Sequence, residues 1–258
     1  MQRLLDWIFS VPFLVAFGLL LVLFDPLQRL ARLFGPRPHE IVVGMLQLSL
    51  LGAFRLCGTR LEVERSLLVK PWTPYLLVAN HQSMFDVPIL GGLLFTNFPK
   101  YVAKKELARW IPSISYNLRR GGNAVIDRGD RHQALEAIRT LGKQVRERGV
   151  SAVIYPEGTR SRDGELGAFK PAGLNELLDA APNGAVVPVA IDNSWQLLRH
   201  NLLPVPFGTR VHVHIGAPIA RTAGEDREIL LCRVRDEIHS TLRRWRAQSA
   251  ESAPPCAA

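Results

Sequence analysis

Cysteine is scarce: Cys57, Cys232 and Cys256 are the only three in 258 residues, they are scattered, and no C-x-x-C pair occurs. That argues against a disulfide framework or a structural zinc site and fits a reducing, cytoplasmic setting. No G-x-S-x-G pentapeptide is present, so the strained elbow of a serine-nucleophile lipid esterase is missing. No helix-turn-helix, zinc-finger or RNP-like pattern occurs and the positive charge is spread along the chain, which speaks against nucleic-acid binding. Internal repeats and long low-complexity tracts are also absent. Val211-His212-Val213-His214-Ile215 puts two histidines on one strand face, but no cysteine or carboxylate lies near them in sequence to complete a metal set. A polar strand face is the reading there. Acidic residues are in deficit, 23 against 32 Lys and Arg, and the net charge of +9 favours anionic partners such as lipid headgroups or phosphorylated substrates.

What is present suffices for a globular core, since 47% of residues are hydrophobic and 21% charged. The length fits one α/β domain with an appendage. Residues 7–24 carry no charge, close to the roughly 20 residues that span a bilayer core. They run straight into Asp25-Pro26 without a small-x-small cleavage site, so a removed signal peptide is not expected. A shorter uncharged run, 41–54, follows Arg29, Arg32 and Arg37. One spanning helix and a two-helix hairpin dipping into one leaflet are the competing arrangements, the hairpin being favoured. Either sets the three arginines beside cytoplasmic headgroups. The plain alternative makes 41–54 a buried helix of the globular domain. Residues 1–58 are thus expected to anchor the chain to the membrane.

From Arg60 the texture changes to short apolar runs separated by helical patterns. Strands are expected at 75–79, 99–103, 123–126, 151–155, 185–191 and 210–215. A helix at 131–147 aligns Ala134, Leu135, Ile138, Leu141 and Val145, and another covers 171–180. A last helix, 226–246, sets Ile229, Leu230, Val234, Ile238 and Leu242 on one side, with a solvated basic face elsewhere. The α/β domain is expected over 59–247, with a disordered tail at 248–258.

Two segments carry chemistry. Asn80-His81-Gln82-Ser83-Met84-Phe85-Asp86 follows an apolar strand, where α/β sheets bind ligands. A histidine there can take a proton from a hydroxyl, and a carboxylate can fix its tautomer and stabilise the imidazolium. On one continuous helix the two would sit about 140° apart. A turn must therefore bring them together, and Pro88 allows a helix to start near Asp86 with His81 in the preceding loop. The spacing alone is weak, and Asp86 as a mere helix cap is the plain alternative. Tyr155-Pro156-Glu157-Gly158-Thr159-Arg160-Ser161 follows another apolar strand. Glycine permits close backbone approach, Thr159 and backbone N–H groups can donate to an oxyanion, and Arg160 can grip a phosphate; an ordinary turn is the alternative.

These segments, with Gly122-Asn123-Ala124-Val125-Ile126-Asp127-Arg128 and Val187-Pro188-Val189-Ala190-Ile191, resemble the four ordered blocks of the glycerolipid acyltransferases, most narrowly the bacterial 1-acylglycerol-3-phosphate acyltransferases. The likeness covers roughly residues 60–215, and the N-terminal apolar segments resemble that group's membrane-anchoring helices. It implies an α/β fold with a mixed, largely parallel central sheet flanked by helices. It further implies His81 as general base with Asp86 as its partner, Arg128 and Arg160 on the acceptor phosphate, and Glu157 and Gly158 shaping the glycerol pocket. Asn80 and Thr159 join the substrate-binding set, and Lys104, or its neighbour Lys105, falls where the family often has a further phosphate-binding base. Pro188 would shape the acyl-donor side, or simply sit at a strand edge or irregularity. The segment Pro112-Ser113-Ile114-Ser115-Tyr116 lacks a glycine that relatives commonly carry.

The implied reaction moves a fatty acyl group from acyl-CoA or acyl carrier protein to the free hydroxyl of a lysophospholipid at the cytoplasmic face of the inner membrane, the chain being monotopic or single-span. Neither a metal nor another cofactor is expected. Another lyso-acceptor, such as glycerol 3-phosphate or a lyso-aminolipid, and a non-catalytic lysolipid-binding protein are the alternatives.

Overall fold

The computed structural model describes residues 2–221 and 226–251. Two long helices come first, α1 (Gln2–Leu33) and α2 (Pro36–Ala53). Then come β1 (Arg60–Arg65), β2 (Leu76–Ala79), α3 (Asp86–Leu93), β3 (Lys100–Lys104), α4 (Ile114–Arg120) and β4 (Ala124–Ile126). The chain continues through α5 (Arg131–Arg148), β5 (Ala152–Ile154), α6 (Pro171–Ala180), β6 (Val186–Asp192), β7 (Arg210–Ile215) and α7 (Arg227–Glu251). The seven strands form one sheet in the order β1-β7-β6-β2-β5-β3-β4. Every neighbouring pair is parallel except β6 with β7. This is the mixed, largely parallel α/β sheet expected.

The central strands are apolar throughout because both faces are covered: β2 and β6 are buried at every position. One face packs Leu77, Ala79, Val187 and Val189 against Ile89, Leu90 and Phe85 of the α3 region and Phe13 and Phe54 of the N-terminal helices. The other packs Leu76, Val78, Ala152 and Ile154 against α5, α6 and α7. Of the side predicted for the last helix, Leu230, Val234, Ile238 and Leu242 are buried, while Ile229 points to solvent. That helix continues to Glu251, through the start of the stretch expected to be a disordered tail; residues 252–258 lie outside those described.

β1 and the proline of β6 differ from expectation, and α4 was not expected as a helix. β1 reads Arg-Leu-Glu-Val-Glu-Arg and was hidden by its charge. It is an edge strand, where charged side chains hinder pairing with other chains. Its carboxylates face β7: Glu62 lies 3.3 Å from His212 and Glu64 lies 3.3 Å from His214. The two histidines thus have acidic cross-strand partners that sequence proximity concealed. Pro188, for which a strand edge or irregularity was the alternative reading, lies inside β6 between β7 and β2, yet costs no ladder bond. Pairing with β7 starts only at Val189 opposite Ile215, and the missing N–H faces the point where β7 has ended.

α1 lies along the α/β domain. Near its start Asp6 accepts the Phe207 N–H at 2.8 Å and Ser10 accepts that of Val205 at 2.7 Å. In the middle Phe13 and Phe17 pack on Phe85, and further on Asp25 accepts the Ser113 N–H at 2.7 Å. At 1.5 Å per residue the helix is roughly 48 Å long, and it stays helical through Pro26. Its outer face is a stripe of exposed Leu4, Trp7, Val11, Val15, Leu19 and Val22 at helical spacing. α2 folds back on α1 and buries its other side on α3, so it is at once a hairpin partner and a helix of the globular body. Gly44 and Gly91 leave the room this needs: a Cβ there would meet the Phe95 ring at 2.1 Å and the Gln47 amide at 2.1 Å.

Candidate active site

β2 delivers Asn80 and His81 to the carboxyl edge of the sheet. Asn80 is 1% exposed and both ends of its amide are occupied, Nδ2 donating to the Ile191 carbonyl and Oδ1 accepting the Ile191 N–H, each at 2.8 Å. It clamps the end of β2 to β6 beside the histidine loop. His81 follows in a loop, and α3 begins at Asp86 as the proline position suggested. Asp86 is 0% exposed. Its Oδ2 accepts His81 Nδ1 at 2.7 Å and the N–H groups of Gln82 and Ser83 at 2.8 and 2.9 Å. Its Oδ1 accepts the Ser194 hydroxyl at 2.6 Å. The carboxylate pulls the loop back over the first turn of α3, which closes the angular gap between His81 and Asp86. Since Asp86 acts as acceptor throughout, Nδ1 is assigned the proton and Nε2 the lone pair.

The loop after β5 packs beside this turn. Glu157, 5% exposed, accepts the His81 N–H at 2.8 Å and the Gly167 N–H at 2.9 Å. Burial pushes its carboxyl pKa up, against the lowering pull of those donors. Gly158 has φ of +70°, a conformation glycine adopts without strain. The Ser161 N–H then donates to the His81 carbonyl at 2.8 Å, so the residues around Arg160 are tied to the histidine loop. Tyr155 stacks on the imidazole, ring centroids 4.0 Å apart and planes 16° from parallel. Its hydroxyl is buried without a hydrogen-bond partner, and burial holds its pKa well above the usual range.

The remaining expected residues surround this edge. Lys104 ends β3 and is exposed, as are Thr159 and Arg160. Arg128, after β4, donates its guanidinium to the Gly158 carbonyl, joining the second and third motifs. Lys105 is instead paired with Asp127. The strands that carry His81, Lys104, Arg128 and Arg160 are neighbours running in one direction, so all four emerge at one edge. The arrangement supplies a base with a fixed tautomer beside exposed cations, which suits deprotonation of a hydroxyl on an anionic molecule.

Sequence reading missed the partners that hold the site. Ser194 lies 108 residues along the chain from Asp86 and belongs to none of the four motifs. Gln82 Nε2 bonds the Gly164 carbonyl at 3.1 Å and Asp192 at 3.2 Å, while Arg246 of α7 reaches the same carbonyl at 2.6 Å. Tyr155 stands as the first residue of the third motif, with no role of its own in the sequence reading.

The chain is similar to several known proteins. A 1-acyl-sn-glycerol-3-phosphate acyltransferase of Salmonella typhimurium is 26% identical over 199 residues, 76% of this chain and 77% of that protein. The enzyme of that name from Saccharomyces cerevisiae is 30% identical over 132 residues, 48% of this chain and 41% of its own. The crystal structure of a 1-acyl-sn-glycerophosphate acyltransferase from Thermotoga maritima superposes with a TM-score of 0.75 at 22% identity, covering 96% of this chain and 98% of that one. It shares the fold, N-terminal helices included. A sequence model of the Acyltransferase family matches residues 60–192, the stretch from β1 through the end of β6 that builds the histidine turn and the loop beside it. With more than half of its length matched there, the chain belongs to the Acyltransferase family.

Proposed function

We propose that this protein transfers a fatty acyl group from a thioester donor, acyl-CoA or acyl carrier protein, to the free hydroxyl of 1-acylglycerol 3-phosphate, giving phosphatidic acid. The observation that carries the reading is the buried Asp86 carboxylate 2.7 Å from His81 Nδ1, which leaves Nε2 to accept a proton. His81 takes the proton of the acceptor hydroxyl, and that oxygen attacks the thioester carbonyl. The tetrahedral oxyanion collapses with cleavage of the carbon–sulfur bond, and the imidazolium returns its proton to the departing thiolate. Asp86 stabilises the imidazolium while it exists. Lys104, Arg128 and Arg160 hold the acceptor phosphate and so fix its hydroxyl near Nε2. Glu157 acts by bracing the two loops, with Gly158 and Thr159 beside the bound headgroup. The reaction uses no metal and no covalent acyl-enzyme.

The protein is monotopic in this reading. Both halves of α1 are bonded to the α/β domain, which supports a helix lying in the membrane plane with its apolar stripe in the lipid, rather than a span or a hairpin entering tip-first. Arg29, Arg32 and Arg37 then meet headgroups at the cytoplasmic face of the inner membrane. Residues 1–58 serve as the anchor and 59–247 as the acyltransferase domain.

The test is a transfer assay in detergent, offering lysophosphatidic acid, other lysolipids and glycerol 3-phosphate with each donor. Phosphatidic acid formation that His81→Ala abolishes without unfolding is the expected result. Near-wild-type transfer by that variant, or release of fatty acid to water in place of transfer, would refute the proposal.

A further inference from the structure

A second cationic site lies on the opposite flank of β2. β7 and β1 run against β6, so their amino ends, Arg210 and Arg60, share the edge at which β6 finishes. There a groove of ≈ 420 Å³ is lined by Asn193, Arg199, His200, Phe207 and Arg210, with the start of α1 along one wall. It continues around Gly208 to Arg55 and Arg60. Among the described residues the side chains of Arg55, Arg60, Arg199 and His200 have neither an acidic nor a hydrogen-bonding partner. Arg210 meets only Glu62, at 4.0 Å. The acid in the lining, Asp6, is already engaged by the Phe207 N–H at 2.8 Å.

The groove begins one residue from the catalytic turn: Asn193 lines it, and Ser194 donates to Asp86 at 2.6 Å. Unneutralised arginines converging on a concave surface make a site for an anion carrying several charges. The acceptor phosphate has its own cations after β3, β4 and β5, on the other side of His81. Transfer to a hydroxyl held there needs the thioester to arrive from elsewhere along the edge, and this groove is the cationic approach on the other flank.

We propose that the groove binds the phosphates of a nucleotide-type thioester carrier, coenzyme A, and thereby selects the acyl donor; the inference rests on the acyl-transfer reading. Its size lies within the range of small-molecule clefts, roughly 300–1,000 Å³. A concave pocket of that kind suits a nucleotide better than the convex surface of a folded carrier protein.

The experiment uses the full-length protein in detergent and the pair Arg199→Glu and Arg210→Glu, exposed residues outside the machinery assigned to the acceptor. Free coenzyme A binding is measured by calorimetry, and kinetics are compared for an acyl-CoA, the matching acyl-pantetheine, which lacks the phosphates, and an acyl carrier protein thioester. Losing charge-assisted bonds to phosphate predicts a rise of about tenfold or more in KM for acyl-CoA and a matching loss of coenzyme A affinity. The turnover number, the acceptor KM and the use of acyl-pantetheine stay unchanged. Unaltered coenzyme A binding overturns the proposal, as does an equal loss with acyl-pantetheine. An effect confined to the carrier-protein donor also overturns it and gives the groove to a protein partner. Failure of the wild type to transfer from any thioester removes the acyl-transfer reading, while calorimetry still decides whether the groove takes coenzyme A.

Discussion

At the scale of single residues, the site is an imidazole fixed from three sides: Asp86 at Nδ1, Tyr155 on one ring face, and the Glu157 and Ser161 contacts on its backbone. Asp86→Asn puts an amide nitrogen among backbone N–H donors and can donate to Nδ1, forcing the wrong tautomer on His81. A fall in turnover of about a thousandfold with little change in acceptor KM is expected from steady-state kinetics. Tyr155 separates packing from chemistry. Tyr155→Phe removes a buried hydroxyl that has no partner, so it should keep activity and raise stability by about 1 kcal/mol in denaturant titration. Tyr155→Leu loses the stack and should reduce turnover by roughly tenfold. A Phe variant as inactive as the Leu variant would assign the hydroxyl a chemical task. The motifs were legible at this scale because they are local in sequence. Ser194 and the Asn80 clamp were not, since both depend on contacts more than a hundred residues apart.

Among elements, the joint between α2 and β3 is built on a buried ionic cluster. Glu40 lies buried and accepts Lys100 at 3.2 Å, Arg37 at 3.1 Å and Arg148 at 2.5 Å, three cations on one carboxylate. The consequences of removing either partner are unequal. Glu40→Gln leaves Lys100, only 3% exposed, with no acid beside it and should cost about 3–5 kcal/mol. Lys100→Met leaves Glu40 two arginines and should change stability by less than about 1 kcal/mol. Burial lowers the Lys100 pKa to about 8, against the opposing pull of Glu40. The folded state then binds fewer protons than the unfolded chain between pH 8 and the ordinary lysine value near 10.5. Wild-type stability should therefore rise relative to Lys100→Met as pH climbs through that window. Chemical denaturation at several pH values measures the difference, and a flat difference would contradict it. None of this was legible in the sequence, where Glu40 is the single acid of α2 and two of its three cations lie far along the chain. β1 was missed for a related reason, as the charges that suit an edge strand mask its period.

For the whole molecule, α1 turns its apolar stripe away from the core while its inner side packs on Phe85, next to Asp86. Val15→Asp with Leu19→Asp, both on the outer face, should lower partition to lipid vesicles by about tenfold or more in a flotation assay. Transfer to a soluble, short-chain acceptor should persist, since neither side chain touches the core. Unchanged flotation would mean that another surface holds the membrane.

The amino-acid sequence by itself determined the class of sheet, the positions of most strands and helices, and the two chemical segments. Each is a local pattern: apolar runs set the strands, helical spacing sets one buried face, and the motif residues follow strand ends where an α/β sheet binds ligands. Only the tertiary structure decided which residues hold the histidine in place, that Asn80 ties β2 to β6, and how the apolar helices lie against the α/β domain. Those outcomes depend on strand order and on hydrogen bonds between segments distant in the chain. Hydropathy reports that α1 avoids water, whereas its direction is fixed by Asp6, Ser10 and Asp25 bonding to loops that only folding brings alongside.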